Sequence, residues 1–151
     1  MRLRYIDYPL PMHRTTWEAS RAAACADEQG KFWPMHDLLY QTQDQWNGQA
    51  TRSPNDVFKK LGAQLGLNQQ QFGACVDSKK TQAKVQAHEQ IAVQRQAGGT
   101  PTFIIGGRMI TQPLTSDEFK QLVDQEMARA GSPVRTDSGA TRGATKTAPR
   151  R

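Results

Sequence analysis

Few side chains in this sequence could do covalent chemistry. Cys25 and Cys75 are its two thiols, and His13, His36 and His88 its three imidazoles. A dithiol redox centre places two thiols within one helical turn, where a helix N-terminus and the partner thiol lower the nucleophile's pKa. No Cys-x-x-Cys occurs here. As bare residues the two thiols fit either a pair of buried free cysteines or one long-range disulfide. A zinc site needs about four ligands at tight spacing, which these five residues do not offer, so neither a metal nor a cofactor is expected. Asp7 and Glu18 make no convincing carboxylate pair, and no phosphate loop or Ser/His/Asp arrangement stands out. No catalytic residue is assigned.

Trp17, Phe32, Trp33 and Tyr40 sit at helical spacing, which reads as core rather than as a ligand cage, with His36 as their polar neighbour and His13 in a proline-rich surface turn. The most informative stretch is Gly98-Gly99-Thr100-Pro101-Thr102. A proline immediately before a β-rich run cannot donate to a ladder, so it belongs at a strand's first position or at an edge. On residues alone this is a loop-to-strand turn, with cis the minority geometry for X–Pro.

The elements that would position these groups follow from periodicity. Residues 2–7 alternate, with Leu3, Tyr5 and Asp7 on one side, and read as a short strand closed by Pro9-Leu10-Pro11. A helix from Thr15 carries five alanines and stops at Gly30, and a second bears Phe32, His36, Leu39 and Tyr40. The polar run Gln41–Arg52 reads as a connection. Ser53 and Pro54 open a helix through Phe58, Leu61 and Leu65 to Gly66. Asn68 caps another with Phe72, Cys75 and Val76. A polar helix over roughly Lys80 to Ala97 has Ala83, Ala87 and Ile91 as its stripe. Then Thr102–Ile105 and Met109–Thr111 flank Gly106-Gly107 as a hairpin. Thr115 to Glu118 resembles a capping box opening a last helix that would bury Phe119, Leu122, Val123 and Met127.

The net charge of +6 suggests nucleic acid until it is located. From residue 131 onward Arg135, Arg142, Lys146, Arg150 and Arg151 stand against Asp137 alone, giving +4, so the rest is near neutral. That tail has one large aliphatic side chain, Val134, and cannot bury enough apolar area to offset its ordering entropy. The expected organisation is one domain over 1–131 and a disordered basic tail over 132–151, with no specific nucleic-acid partner. No apolar run is long enough to span a bilayer, and no signal segment opens the chain.

In order, Tyr5-Ile6-Asp7-Tyr8-Pro9-Leu10-Pro11-Met12-His13, then Ala22 to Trp33, then His36-Asp37-Leu38-Leu39 resemble the middle region of DsbA-like thiol-disulfide oxidoreductases. Leu65-Gly66-Leu67, Phe72-Gly73-Ala74-Cys75, Gly99-Thr100-Pro101-Thr102-Phe103 and Gly106-Gly107-Arg108 continue the match. The resemblance spans about residues 2–130. It implies an α/β thioredoxin-like fold with a helical insertion, helix-rich and N-terminally truncated. It also implies a cis Thr100–Pro101 bond, with Thr100 and Pro101 binding the substrate backbone, and a structural disulfide between Cys25 and Cys75. Protein substrates carrying thiols or disulfides, and a periplasmic or extracytoplasmic location, follow from the same likeness.

One departure is large. The family's first strand and its Cys-x-x-Cys helix precede the region where this chain starts, as though the start had been assigned late. The leading expectation is therefore a DsbA-like oxidoreductase that is inactive as written. The alternatives are a non-catalytic thioredoxin-like peptide-binding module and, more weakly, a helical interaction domain with a basic tail.

Overall fold

The computed structural model describes residues 2–131, so the basic tail expected over 132–151 lies outside the described residues. The elements run α1 (Thr16–Asp27), α2 (Phe32–Gln41), α3 (Gln43–Trp46), α4 (Pro54–Gln64), α5 (Gln69–Ser78), α6 (Gln82–Gln94), β1 (Phe103–Ile105), β2 (Arg108–Ile110) and α7 (Ser116–Gly131).

Helix α1 explains the helical unit. Its alanines are strong helix formers with little bulk, and Ala19, Ala22, Ala23, Ala24 and Ala26 are all buried. A surface this smooth lets other helices come close, and α2, α4, α5 and α6 all pack on it. The volume is filled from the far side by Met35, Leu39, Trp46, Phe58, Leu61 and Phe72. Trp46 explains the short α3 inside the stretch read as a connection: its indole N–H donates to the Leu39 carbonyl at 2.9 Å, so a polar-looking linker turns inward to deliver one aromatic.

Several local expectations are met. Gly106 and Gly107, both at positive φ (57° and 83°), close a two-residue hairpin between β1 and β2, a conformation glycine adopts without strain. Asn68 caps α5 by accepting from the Gln71 N–H at 3.0 Å. At the start of α7 the Thr115 N–H donates to Glu118 Oε2 at 2.8 Å while the Glu118 N–H donates to Thr115 Oγ1 at 3.3 Å, the reciprocal capping box. Ser53 precedes α4 with Pro54 in its first turn, but its side chain makes no capping hydrogen bond.

Three expectations are corrected. Residues 2–10 form no strand. A strand is defined by a partner, and β1 and β2 pair only with each other, so the alternating segment is held by side chains instead. Helix α6 buries Val85 and Ala92, leaving Ala83 and Ala87 exposed. Alanine fits either face, so the stripe had no sharp phase, whereas Val85 has the bulk to choose. Helix α7 buries nothing fully: Phe119 stacks on Phe103 with centroids 5.6 Å apart, Leu122 and Val123 are half-exposed, and Met127 is exposed. Its apolar stripe is real, but the hairpin is too small to cover it.

Packing between α4 and α5 is tight enough to test. A Cβ on Gly62 would lie 2.6 Å from the Phe72 ring, and Phe72 is fully enclosed. Gly62→Ala should therefore destabilise by about 1–3 kcal/mol despite alanine's better helix propensity. Urea unfolding should show a lower midpoint at unchanged slope; an unchanged or higher midpoint would mean that the interface has slack.

Candidate functional site

The proline loop lies between α6 and β1. Gly98 and Gly99 release the chain from α6, and the Thr102 hydroxyl donates to the Gly99 carbonyl at 2.7 Å, closing the loop on itself. The Thr100–Pro101 bond is cis, and both residues are exposed. Among the described residues the Thr100 backbone makes no hydrogen bond. Beyond Pro101, β1 has β2 on one side and, among the described residues, no strand on the other. The hairpin is braced from behind by Glu126, which pairs with Arg108 at 3.2 Å and Arg129 at 3.1 Å.

Cys25 and Cys75 are joined, with an S–S distance of 2.01 Å and Cα atoms 5.9 Å apart. The bridge ties α1 to α5 inside the helical core and leaves no free cysteine. The Thr81 hydroxyl contacts Cys25 Sγ at 3.7 Å and donates to the Arg21 carbonyl at 3.1 Å. The Arg21 guanidinium, itself buried, donates from Nη1 to Gln82 Oε1 at 2.8 Å. The disulfide and the proline loop thus belong to different units, one in the helical core and one on the hairpin.

Two groupings were not read from the sequence. The first gathers Tyr5, Phe32, Trp33 and Tyr40 around the His36 ring at centroid distances of 4.9–6.1 Å. Of the aromatics expected as core, Trp17 and Phe32 are half-buried, while Trp33 is 46% and Tyr40 64% exposed. Tyr5, Phe32, His36 and Tyr40, but not Trp33, line a cavity of about 110 Å³ floored by Ala19, Ala23, Leu39 and Trp46. Helical spacing placed the rings on one face but could not say that Tyr5, rather than the core, would meet them. Burial pushes the Tyr5 phenol well above its ordinary range, and the Tyr40 phenol and Asp7 carboxylate add to the shift.

The second grouping pairs Asp7 with His88, Nδ1 to Oδ2 at 2.7 Å across 81 residues. Asp7 is buried, so its carboxylate needs this partner. The alternation of residues 2–7 had put Asp7 on the same side as Tyr5; nothing in the sequence pointed to His88. His13 is exposed in its turn. Among the described residues no three His, Cys, Asp or Glu side chains converge on a possible metal position. No helix among them is long and apolar enough to cross a membrane.

A family model described as thioredoxin matches residues 1–125. The chain is similar to Na(+)/H(+) antiporter NhaA 3 of Salinispora tropica, 29% identical over 131 residues that make up 85% of this chain and 19% of that protein. It is also similar to Na(+)/H(+) antiporter NhaA of Herminiimonas arsenicoxydans, 32% identical over 108 residues, 72% of this chain and 16% of that protein. The chain thus spans about a fifth of the length of the curated relatives it matches. No solved structure matches it.

Two outcomes follow from this geometry. Replacing both cysteines by serine opens a 50-residue loop and should cost about 4 kcal/mol in the chain-entropy description; a loss below about 1 kcal/mol in denaturant unfolding would show that α1 and α5 hold together without the bond. For Tyr5 the sign is set by its raised folded-state pKa. The unfolded phenol ionises near pH 10 while the folded one stays neutral, so this contribution is complete below that pH and is lost as pH rises above it. Tyr5→Phe should flatten the alkaline fall in stability, and a fall as steep as that of the parent protein would assign it elsewhere.

Proposed function

The chain belongs to the thioredoxin family, and from that premise we propose that it is the substrate-docking part of a DsbA-like thiol-disulfide oxidoreductase, completed by a strand and a Cys-x-x-Cys helix outside these 151 residues. One observation carries the reading. Thr100 and Pro101 are exposed at the head of β1, and the Thr100 backbone groups are uncommitted beside the strand's open edge. Such an edge accepts an extended peptide by backbone pairing, which is sequence-tolerant and suits an enzyme acting on many proteins.

In the completed protein a thiolate of the dithiol attacks one sulfur of a substrate disulfide, and the other sulfur leaves as a thiolate. The second thiol of the pair then attacks the mixed disulfide, releasing the reduced substrate and leaving the dithiol oxidised; the reverse sequence oxidises a substrate dithiol. Thr100 and Pro101 hold the peptide while this happens. The partners on this reading are proteins bearing thiols or disulfides, and the compartment is periplasmic or otherwise extracytoplasmic. The Cys25–Cys75 bond supports that placement, because such bonds persist where the surroundings are oxidising.

A second reading, a non-catalytic peptide-binding module, is favoured by a different fact. Both cysteines of the sequence are joined to each other, so the 151 residues offer no free thiol. On this reading the chain serves as a docking domain within a longer protein, as its partial coverage of two antiporters would suit.

An insulin-reduction assay on the 151 residues and on a chain extended upstream to include a Cys-x-x-Cys separates the two. The oxidoreductase reading expects turnover by the extended chain alone. It fails if the extended chain is inactive, and it fails equally if no extension encodes the dithiol; peptide binding at the Thr100 edge would then favour the module.

A further inference from the structure

The disulfide is not symmetrical. Cys75 lines a surface depression of about 440 Å³ together with Glu28, Gln71, Ala74, Ser78 and Lys80, and Cys25 does not reach it. Cys25 is 1% exposed and faces the other way, toward the start of α6. Each cysteine sits near the C-terminal end of its own helix, where a thiolate gains nothing from that helix's dipole. Cys25 Sγ also meets Thr81 at the N-terminus of α6, at 3.7 Å.

That N-terminus is unusually uncompensated. Thr81 is the N-cap of α6, yet its hydroxyl makes no capping bond, being turned to the Arg21 carbonyl and Cys25 Sγ. No acidic residue occupies the first turn. Arg21, one turn before Cys25 on α1, delivers its guanidinium to the same place through Gln82 and is 94% buried by its 6% exposure. Its Nε has no hydrogen-bond partner, an orphaned donor on a buried cation. Glu18 lies 3.7 Å from the guanidinium and offsets part of its charge. The nearer acids on α1 are engaged elsewhere, Asp27 with Lys84 at 2.6 Å and Glu28 with Lys80 at 2.9 Å. Cys25 Sγ therefore faces the Thr81 hydroxyl at the head of α6, and the buried Arg21 guanidinium is held at the next residue of that head, Gln82.

We propose that the Cys25–Cys75 disulfide is a directional thiol-exchange site: external thiolates enter at Cys75 and Cys25 leaves as a preorganised thiolate. Displacement at sulfur requires the attacker opposite the leaving sulfur, and rate rises with leaving-group stability as well as access. The depression at Cys75 supplies the access, and its rim, where Lys80 and Glu28 pair at 2.9 Å, carries no net charge against an approaching thiolate. As the new S–S bond forms at Cys75, the old bond breaks and its electron pair goes to Cys25 Sγ. There the Thr81 hydroxyl can swing from the Arg21 carbonyl to donate to the thiolate, and the buried guanidinium balances its charge. A second external thiolate then attacks the external sulfur of the mixed disulfide and releases Cys75 as a thiolate. Two thiols are oxidised to one disulfide, and the protein's disulfide is reduced to two thiols. The substrate class is a small thiol or a solvent-exposed cysteine of a protein. This chemistry needs only the bond itself and stands apart from the oxidoreductase reading.

The test uses glutathione as the probe on the 151-residue chain in native buffer, with acid quenching, alkylation and peptide mass spectrometry. The mixed disulfide should fall on Cys75 and the alkylated free thiol on Cys25, with a preference of about tenfold or more. A Cys75→Ser variant then allows Cys25 to be titrated alone by its reactivity toward an alkylating reagent. Its thiolate should form below the ordinary range near pH 8.5, and adding Arg21→Gln should move that titration upward, with circular dichroism showing both variants folded. The proposal is overturned if adducts fall on Cys25 or on both sulfurs equally, or if they form only in denaturant. A Cys25 thiol that titrates in or above the ordinary range overturns it as well.

Discussion

Everything in the helical unit depends on how closely four helices can approach α1. Its buried face is made of alanines interrupted by Arg21 and Cys25, and the absence of bulk there is what brings α2, α4, α5 and α6 within packing distance of a single helix. Small residues alone give little contact energy, since an alanine buries about one methyl. The large side chains therefore come from the partners, Phe58 and Leu61 from α4, Phe72 from α5 and Met35 from α2, and they interdigitate above a flat floor. The Cys25–Cys75 bond fastens this arrangement where α5 meets α1. The same smoothness brings the head of α6 against Cys25, so the electrostatic surroundings of that sulfur are a by-product of alanine packing.

Legibility in the sequence followed how local the cause was. The hairpin at Gly106-Gly107, the Asn68 cap and the Thr115–Glu118 box are decided within four residues, and each stands as read. The failures all have non-local causes. Residues 2–7 alternate like a strand, yet whether they become one depends on a partner that local pattern does not contain. The face of α6 was ambiguous because Ala83, Ala87 and Ala92 fit buried or exposed positions alike, and Val85 and His88 decided it through contacts formed across the fold. Trp33 and Tyr40 were on one helical face as expected, but Met35 and Leu39 are the residues of α2 that enter the core, which left both rings largely exposed. Of the site, the proline loop and the cysteine positions were visible; Arg21 and Thr81 were not, since neither type signals that it will converge on a sulfur 56 residues from Thr81.

The two chemically interesting places differ in the rigidity around them. The disulfide ties α1 to α5 in the helical core, open to solvent only on the Cys75 side, and cannot shift without disturbing both helices. The proline loop is carried by a two-stranded hairpin and one half-covered helix, held chiefly by Phe103 on Phe119 and by the Glu126 pairs. A small antiparallel ribbon with an open edge is marginal by itself. An added strand along β1 would contribute backbone hydrogen bonds where the unit is poorest in them, so binding and ordering are coupled at this edge in a way they are not at the disulfide.

The segment over residues 2–10 shows the same economy from the other side. It forms no ladder, and side chains fix its position: Tyr5 against Phe32, Trp33 and His36, and Asp7 against His88. Side chains alternate across an extended chain while the backbone N–H and C=O groups point along the sheet plane. Occupying one set leaves the other untouched, apart from the Asp7 N–H, which faces His88 Nδ1 at 3.3 Å. A strand laid beside this segment would therefore meet a backbone already placed, with much of the ordering entropy of residues 5–7 already lost to the aromatic cluster and the Asp7–His88 pair. That is the condition under which strand addition is favourable: the edge is prepared by contacts that the incoming strand does not have to break.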